Sequence, residues 1–389
     1  MQRLSVTGGA VQTSDGTPLR VAVVGASVRP TCGVRDHATL LMHAMSLQNV
    51  SPSLHWLTRE QSSSLWAARA EFSAWTRRLS RELDEDPPDA VLMHYSVFSY
   101  SHRGLPVFVH QTLRALHPER IPLLAMMHEL VYPWRYSGLR GDLWALTQRA
   151  LLIDVMRACR GAIVTADVRE RWLASRVWLP TRRVLVAPVF SNLPAPSAQP
   201  ALSPQPAGEH SGATIGLFGY SYEGASLSLV LDALDLLRER GVPAQLRLLG
   251  APGSSSDPGR AWLVAARARG LESLISFSER LPAQEMSDAL AACDVLLFPD
   301  AAGPSSRKGS LAGALASGSA VVALDGPNTW QRLLDAQAAC VVAPTPAGLA
   351  QAIGDLLGDE QARAALGARG CAFASDEMGL ARSVNAVMG

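Results

Sequence analysis

Short apolar runs alternate with helix-length segments along most of this chain, and the alternation restarts after a proline-rich stretch. Four runs of strand type precede that stretch, at 20–25, 90–95, 122–127 and 162–165. Six more follow it, at 214–218, 245–250, 274–277, 295–298, 320–324 and 339–342. Continuous apolar strands that alternate with helices are typical of parallel sheets covered by helices on both faces. The pattern therefore predicts an α/β protein with two doubly wound, Rossmann-like domains.

The proline-rich stretch divides the 389 residues into two domains of ordinary size. Its five prolines, between Asn192 and Ala213, disfavour helix and favour an extended linker. We expect an N-terminal domain, a linker, a second domain and a C-terminal helix that can cross back to the first domain. Their predicted bounds are 1–192, 193–213, 214–370 and 371–389. The two domains are expected to face each other across a cleft.

Charge and composition exclude several classes of partner. The 35 basic and 34 acidic side chains give a net charge of +1, so no overall field attracts nucleic acid. No apolar run approaches the ~20 residues of a membrane span, and residues 1–20 lack the apolar core of a signal peptide. The five cysteines form no C-x-x-C pair and predict reduced thiols. We expect a cytoplasmic protein without a bound metal. A nucleophilic serine is not expected either, because no G-x-S-x-G occurs.

Lys308 is the only lysine in the chain, and it lies in the segment 304–310, which reads Pro-Ser-Ser-Arg-Lys-Gly-Ser. The segment follows a predicted strand and precedes a predicted helix at 311–317. Free backbone N–H groups, the positive end of a helix dipole and two cations together suit an anion such as phosphate. Taken alone, the segment is better explained as a solvated basic turn, and its surroundings decide between the two interpretations.

Two other loops follow predicted strands, at the edge where open α/β sheets bind their ligands. The stretch 31–37 contains a glycine that lets the backbone approach a phosphate or sugar, but it lacks G-x-G-x-x-G and an ordinary turn explains it as well. The stretch 250–256 is rich in serine and glycine but has no cation, so it is a weaker phosphate candidate than the Lys308 loop.

His128 ends a predicted strand and is followed by Glu129 and a cluster of aromatic residues. A histidine there can hydrogen-bond a sugar hydroxyl or act as an acid or base, or it can simply bond a backbone carbonyl. Glu129 can orient the imidazole or pair with Arg135. The aromatic side chains, which include Tyr132 and Trp134, can stack on a sugar face or merely pack.

The segment 68–83 places an apolar stripe and several arginines on opposite faces of a predicted helix. A basic amphipathic helix can lie on an anionic membrane. A surface helix packed on the first sheet is the favoured interpretation, so peripheral membrane contact is possible but not expected.

In this order, the motifs resemble the retaining GT-B glycosyltransferases of glycosyltransferase family 4 over nearly the whole chain. The segment 32–36 is similar to the family's glycine-rich loop, and His128 occupies the place of its cleft histidine. The segment 289–299 is similar to the helix and strand before the family's donor motif. The segment 313–323, Gly-Ala-Leu-Ala-Ser-Gly-Ser-Ala-Val-Val-Ala, resembles its best-known stretch.

The resemblance implies transfer of a hexosyl-type sugar from a nucleotide diphosphate sugar, such as a UDP-sugar, without metal and with retention of anomeric configuration. The nucleotide sugar is then a co-substrate and no cofactor is expected. The acceptor, held by the first domain, can be a small molecule, a glycan or a lipid-linked sugar. A catalytically inactive homologue that acts as a binding or scaffolding subunit is the main alternative, and a sugar phosphorylase is a further one.

Two departures from the family's pattern shape the predicted site. The family's paired glutamates fall on Ser305 and Gly313, and its usual phosphate-binding Arg and Lys are missing from 219–224. The simplest inference is that the cations of the Lys308 loop now hold the diphosphate. What binds the ribose is left open.

The predicted site residues fall into four groups. The predicted catalytic residues are His128, Arg307 and Lys308. The predicted diphosphate-binding residues are Gly33, Arg307, Lys308, Gly309 and Ser310. The donor sugar or nucleotide is assigned to Ser305, Gly219, Arg280 and Leu281. The acceptor side is assigned to Asp36, Glu129, Tyr132 and Trp134.

Overall fold

The structure is a computed structural model that describes most of the chain as two compact units. The described residues are 5–7, 10–12, 17–28, 32–59, 64–136, 138–197, 212–220, 222 and 224–389. One unit comprises Met1–Pro188 with Leu380–Gly389, and the other comprises Val189–Gly379. Each unit contains its own six-stranded parallel sheet.

The first unit is built from eight strands and five helices before the chain enters the second unit. Its strands are β1 (Ser5–Thr7), β2 (Ala10–Gln12), β3 (Leu19–Ser27), β4 (Val50–Thr58), β5 (Ala90–Ser96), β6 (Leu123–Glu129), β7 (Gly161–Val164) and β8 (Arg183–Val186). Its helices are α1 (Gly33–Ser46), α2 (Leu65–Glu85), α3 (Val109–Ala115), α4 (Gly138–Ala158) and α5 (Asp167–Ala174). The strand order is β4-β3-β5-β6-β7-β8, and β1 and β2 form a separate antiparallel pair.

The second unit has six strands in the order β11-β10-β9-β12-β13-β14. They are β9 (Ala213–Phe218), β10 (Ala244–Leu249), β11 (Ile275–Phe277), β12 (Val295–Phe298), β13 (Ala320–Leu324) and β14 (Cys340–Val342). Its helices are α6 (Ala225–Glu239), α7 (Asp257–Arg267), α8 (Ala283–Ala291), α9 (Gly309–Ala316), α10 (Gln331–Asp335), α11 (Pro346–Gly358) and α12 (Glu360–Glu377), with a 3₁₀ turn at Glu272–Leu274.

The last helix, α13 (Leu380–Met388), belongs to the first unit and packs against α1. Arg183, at the start of β8, donates a hydrogen bond of 2.6 Å to the carbonyl oxygen of Gly389. The described part of the predicted linker lies in the second unit, where the Ser197 N–H donates to Asp288 at 2.7 Å. Residues 198–211 of that linker lie outside the described residues.

The predicted parallel sheets are confirmed, and two strands of the first sheet were not predicted. All six predicted strands of the second unit and all four of the first are present within a few residues. The two strands that the sequence did not predict, β4 and β8, are the two edges of the first sheet. An edge strand has one neighbour and is covered less completely, so it needs no continuous apolar run. Pro52 in β4 is tolerated for the same reason.

Helix α2 packs on the first sheet, as the favoured interpretation of its amphipathic pattern predicts. Its apolar stripe of Phe72, Trp75 and Leu79 is buried in the core of the first unit, and Phe72 stacks on Phe108 with ring centroids 4.1 Å apart. The stripe is therefore not available to a membrane surface. Within the described ranges, no helix is both long enough and apolar enough to cross a membrane.

Candidate functional site

The order of the strands locates the candidate site in the second unit. Its first strand, β9, lies between β10 and β12, so the connections that follow β9 and β12 lead to opposite sides of the sheet. Open α/β sheets bind ligands at such a switch point, beyond the carboxyl ends of the strands. The two loops that meet there begin at Gly219 and Pro299. Both contain residues that the sequence assigns to the donor.

Gly219 and Ser310 are brought together at this switch point. Gly219 has φ +72°, a conformation that favours glycine. A Cβ atom built on Gly219 would lie 3.9 Å from the Cβ of Ser310. The backbone of the first loop therefore borders the start of α9. Ser221 and Glu223 of the same loop lie outside the described residues.

The loop that carries Lys308 is anchored by its own backbone and by its neighbours. The Val189 N–H donates to the Ser306 carbonyl at 2.8 Å, and the Trp330 N–H donates to the Pro304 carbonyl at 2.8 Å. Gly303 has φ +87°, and a Cβ there would lie 2.3 Å from the Thr329 hydroxyl oxygen, so only glycine fits. The loop is thus built to hold one shape.

Lys308 stands at the N-cap position of α9 and is paired with a carboxylate. Its Nζ lies 2.9 Å from Oδ2 of Asp300, whose side chain is 15% exposed. Burial raises the pKa of Asp300, but the hydrogen bond from Lys308, the Ala302 N–H and the charges of Lys308 and Arg307 together hold that pKa below its usual value. Arg307 itself is exposed. The three charged groups therefore keep one net positive charge at the helix start.

The first turn of α9 has donors available for an anion. No side chain caps this helix, because its N-cap residue is Lys308, which has no acceptor. Gly309 and Ser310 are half-buried, and their N–H groups belong to the first turn, which has no intrahelical acceptors. Together, these donors, the helix dipole and the two cations have the chemistry that suits an anion.

Ser305 and Gly313, where the family has its glutamates, are both buried. Ser305 is 3% exposed, so its side chain offers little surface to a ligand. Gly313 faces two apolar side chains: a Cβ there would lie 3.2 Å from Phe218 and 3.6 Å from Leu193. The space beside Gly313 is therefore already filled.

The remaining strand-end loops of the second unit are less suited to phosphate. In the stretch 250–256, the Gly253 N–H donates to the Tyr220 hydroxyl at 2.8 Å and the Ser254 N–H donates to Glu279 at 3.0 Å. These donors already have protein acceptors. Arg280 is exposed just after β11, which is the edge strand two places from β9, and Leu281 packs on an apolar cluster.

In the first unit, His128 belongs to a cluster of three histidines that also contains His37 and His94. His94 Nδ1 and His128 Nε2 are 3.0 Å apart, and the rings of His37 and His128 are 5.3 Å apart between centroids. Burial lowers the pKa of His37 to about 4. Burial first, and then the neighbouring histidines, lower the pKa values of His94 and His128 well below normal. All three imidazoles are therefore neutral at pH 7.

The orientation of His128 comes from His94 rather than from Glu129. Glu129 instead accepts a hydrogen bond of 2.7 Å from the Ser96 hydroxyl. Neutral imidazole has one donor and one acceptor nitrogen, so a ring held through Nε2 can present the other nitrogen to a hydroxyl group. Sequence reasoning missed His94 because it lies within a strand that reads as a buried apolar run.

The other residues assigned to the first unit are placed as follows. Gly33 and Asp36 are exposed in the first turn of α1, after Thr31, which lies outside the described residues. The Tyr132 ring meets Phe98 and Trp144 edge-on, and the Arg149 guanidinium lies 4.6 Å above the Trp134 ring. Tyr132 therefore packs with other aromatic side chains and also lines a cavity, whereas Trp134 is exposed on its other side.

No part of the described chain groups three or more His, Cys, Asp or Glu side chains in a way that could hold a metal ion. The loop that carries Lys308 is instead cationic, with Asp300 as its internal counterion. Sequence reasoning missed Asp300 and its neighbour Tyr222. Burial, together with the charge of Asp300, raises the pKa of Tyr222. The rule that strand ends carry ligand residues could have found Asp300, which follows β12 by two positions.

Two Rossmann-like units, each with a six-stranded parallel sheet, define the GT-B fold. Residues 212–359 match the family model described as Glycosyl transferases group 1. That match covers the second unit's sheet and the whole of its candidate anion site. None of the curated protein sequences matches this chain.

Solved structures with the same fold cover nearly the whole chain at low sequence identity. Sucrose-phosphate synthase from Thermosynechococcus elongatus aligns with a TM-score of 0.69 and 13% identity, over 95% of this chain and 97% of its own. A glycosyltransferase from Rickettsia africae aligns at 0.68 and 11%, with coverage of 95% and 97%. Anabaena HepE in complex with UDP-glucose aligns at 0.67 and 16%, with coverage of 94% and 98%.

Proposed function

We propose that this protein is a retaining, metal-independent glycosyltransferase that moves a sugar from a nucleotide diphosphate sugar to an acceptor. One observation carries the proposal. At the switch point of a sheet matched by a glycosyltransferase family model, Gly219, Lys308 and Ser310 surround the uncapped start of α9. The Anabaena relative is described in complex with UDP-glucose, so UDP-sugars are the first donors to test.

In the proposed reaction, the costly event is departure of the nucleotide diphosphate from the sugar. Negative charge then grows on the leaving phosphate, and interactions that strengthen with that charge accelerate the step. Arg307, the Lys308 ammonium and the first N–H groups of α9 supply these interactions. Since Lys308 is bonded to Asp300, the diphosphate must share the ammonium with that carboxylate.

The histidine cluster has a different proposed role, because neutral imidazoles do not stabilise the leaving phosphate as cations would. We assign the other ring nitrogen of His128, Nδ1, to a hydroxyl of the donor sugar, with the ring held by His94 through Nε2. By resemblance to retaining enzymes, the acceptor attacks from the face that the diphosphate leaves, and an oxygen of the leaving group takes the acceptor's proton. Such a reaction needs no nucleophile from the protein.

A catalytically inactive homologue that binds or scaffolds is the competing proposal. The packing around Gly313 favours it, because Phe218 and Leu193 occupy the place of a donor-binding glutamate. An enzyme that transfers sugar to inorganic phosphate would use the same cationic loop, so it is distinguished only by its reaction.

A transfer assay decides among these functions. The protein is incubated with UDP-, GDP- and TDP-sugars and a panel of small-molecule, glycan and lipid-linked acceptors, and products are identified by mass spectrometry. We expect at least one pair to give a glycosylated acceptor and free nucleotide diphosphate, with the anomeric configuration retained by NMR. Nucleotide binding without turnover on any pair would favour the inactive homologue. Phosphate-dependent release of a sugar phosphate would identify a phosphorylase.

A further inference from the structure

The first unit contains a cavity of about 290 Å³ at the carboxyl edge of its sheet. Its lining comes from the segments that follow β5 and β6 and from α5: Val97, Phe98, Glu129, Leu130, Val131, Tyr132, with four further residues at 133–172. A larger cavity of about 680 Å³, lined by His110 and Arg182, lies at the opposite edge, where β8 begins. Strand direction therefore favours the smaller cavity, which lies at the carboxyl edge, as the ligand site.

The walls of the 290 Å³ cavity are apolar and aromatic. Phe98 and Tyr132 meet at nearly a right angle with ring centroids 6.3 Å apart, so their mutual position is fixed. Trp172 forms another part of the wall and has the Arg176 guanidinium 4.8 Å from its ring centroid. Rings held in this way present rigid surfaces to the apolar face of a flat ligand.

Two oppositely charged side chains, Glu129 and Arg169, also line the cavity. Each is held by a hydroxyl group of the protein: Ser96 donates to Glu129 at 2.7 Å, and Arg169 donates to Thr165 at 2.8 Å. A carboxylate only accepts and a guanidinium only donates, whereas a hydroxyl group does both. Because the two charges cancel, the pair suits a neutral hydroxyl better than an anion.

The cavity is also adjacent to the histidine cluster. The positive charge of Arg169 contributes to the lowered pKa of His128, after burial and the two other histidines. Arg169 also donates to the carbonyl of Met127, the residue before His128, at 3.4 Å. A hydroxyl bound by Arg169 is therefore close to the residue to which we assign the donor sugar.

We propose that this cavity is the acceptor site and that it takes a neutral, flat ring with an apolar face and a hydroxyl at its edge. The ring packs against Phe98, Tyr132 and Trp172, and its hydroxyl lies between Glu129 and Arg169. The description of this cavity as an acceptor site rests on the proposed transferase function. Its proposed ability to bind such a ring does not. A hydroxylated aromatic aglycone and a sugar ring share this chemistry.

Ligand-observed NMR on the full chain tests the proposal with defined probes. The neutral probes are 2-naphthol and methyl α-D-glucopyranoside, and their anionic counterparts are 2-naphthyl phosphate and glucose 6-phosphate. We expect saturation transfer to at least one neutral probe, with the anionic counterpart bound about 10-fold or more weakly. Binding of 2-naphthol alone indicates an aromatic aglycone, and binding of the glucoside alone indicates a glycan.

Two variants locate the binding. Val168→Trp fills the cavity from α5, and we expect it to abolish the signal, whereas Val177→Trp, at a fully exposed position of the same unit, leaves it unchanged. Glu129→Gln keeps the side chain's shape and is expected to weaken binding about 5-fold or more. This variant tests the proposal even if Val168→Trp does not fold. The proposal is overturned when no neutral probe binds, when an anionic probe binds more tightly, or when Glu129→Gln and a folded Val168→Trp bind as the wild type does.

The same samples separate this proposal from the transferase function. UDP is titrated into the wild-type protein and into Val168→Trp. If the protein binds UDP but none of the probes, the assignment of the cavity is wrong and the proposed transferase function is unaffected. Probe binding without UDP binding leaves a ring-binding cavity and removes its description as an acceptor site.

Discussion

Replacement of both Arg307 and Lys308 by alanine is expected to weaken UDP binding by about 100-fold. A hydrogen bond to a charged group contributes about 1.5–3 kcal/mol. Two such contacts would give more than 100-fold, but Arg307 is exposed and solvent screens its charge, so the low end applies. Titration calorimetry of UDP into the native and variant proteins measures the change.

A charge-matched control is available in the same unit. Arg238→Ala with Arg240→Ala removes two positive charges from the end of α6, which lies toward the amino edge of the sheet. This variant is expected to bind UDP within about 2-fold of the native protein, since unit charges farther apart than the ~10 Å screening length interact weakly. Equal affinity of the Arg307/Lys308 variant and the native protein would remove the diphosphate assignment, even with the fold unchanged.

The second large effect is a loss of stability in mild acid, caused by the three clustered histidines, whose pKa values are all lowered in the folded protein. The folded-state pKa of His37 is lowered from 6.5 to about 4, so below pH 6.5 the unfolded chain binds a proton that the folded chain excludes. The free energy of unfolding therefore falls as pH falls from 6.5 toward 4. For His37 alone the loss between pH 6.5 and 5 is about 2 kcal/mol, at 1.36 kcal/mol per pH unit.

His94 and His128 act in the same direction, because burial lowers their pKa values as well. Urea unfolding at pH 7.0 and pH 5.0 measures the combined loss, which is a large part of the 5–15 kcal/mol that stabilises a typical domain. His37→Gln is expected to reduce the dependence on pH by about one histidine's share. His43→Gln, at an exposed position of the same helix, is its matched control. Identical pH dependence in native protein and His37→Gln would show that His37 titrates normally.

The architecture could be predicted from sequence because the central strands are buried on both faces. Such strands are continuous apolar runs, as in 295–298 and 320–324, and they are readable without any knowledge of their neighbours. Edge strands cannot be recognised in this way. Most residues of strand β4 are exposed or half-buried, and the strand contains Pro52, so its pairing with β3 depends on tertiary contacts that sequence does not display.

The position of the loop that carries Lys308 could be predicted for a similar reason, but its internal partners could not. A basic glycine-containing segment after an apolar strand is visible in sequence, and Lys308 indeed stands at the start of α9. The pairing of Lys308 with Asp300 requires the loop to return across eight residues. Likewise, the contact between His94 and His128 joins neighbouring strands β5 and β6, close to the point where their register shifts.

The Asp300–Lys308 pair changes the role expected of the single lysine. An unpaired ammonium would be a simple anion receptor. A paired one is a cation held in place, because Asp300 is itself fixed by the Ala302 N–H at 2.9 Å. In the proposed site, a diphosphate would therefore meet a preorganised ammonium whose charge is partly offset, and the helix N–H groups and Arg307 would supply the remaining attraction.

A calorimetric series of uridine, UMP and UDP tests whether the start of α9 binds the diphosphate of a nucleotide sugar. We expect affinity for the native protein to rise about 10-fold or more from UMP to UDP, and this rise to disappear in Arg307→Ala with Lys308→Ala. GDP and TDP are titrated in parallel to allow for a different base. Diphosphate binding at α9 is contradicted if no nucleotide diphosphate binds. It is also contradicted if UDP is the preferred diphosphate and UMP binds with the same affinity.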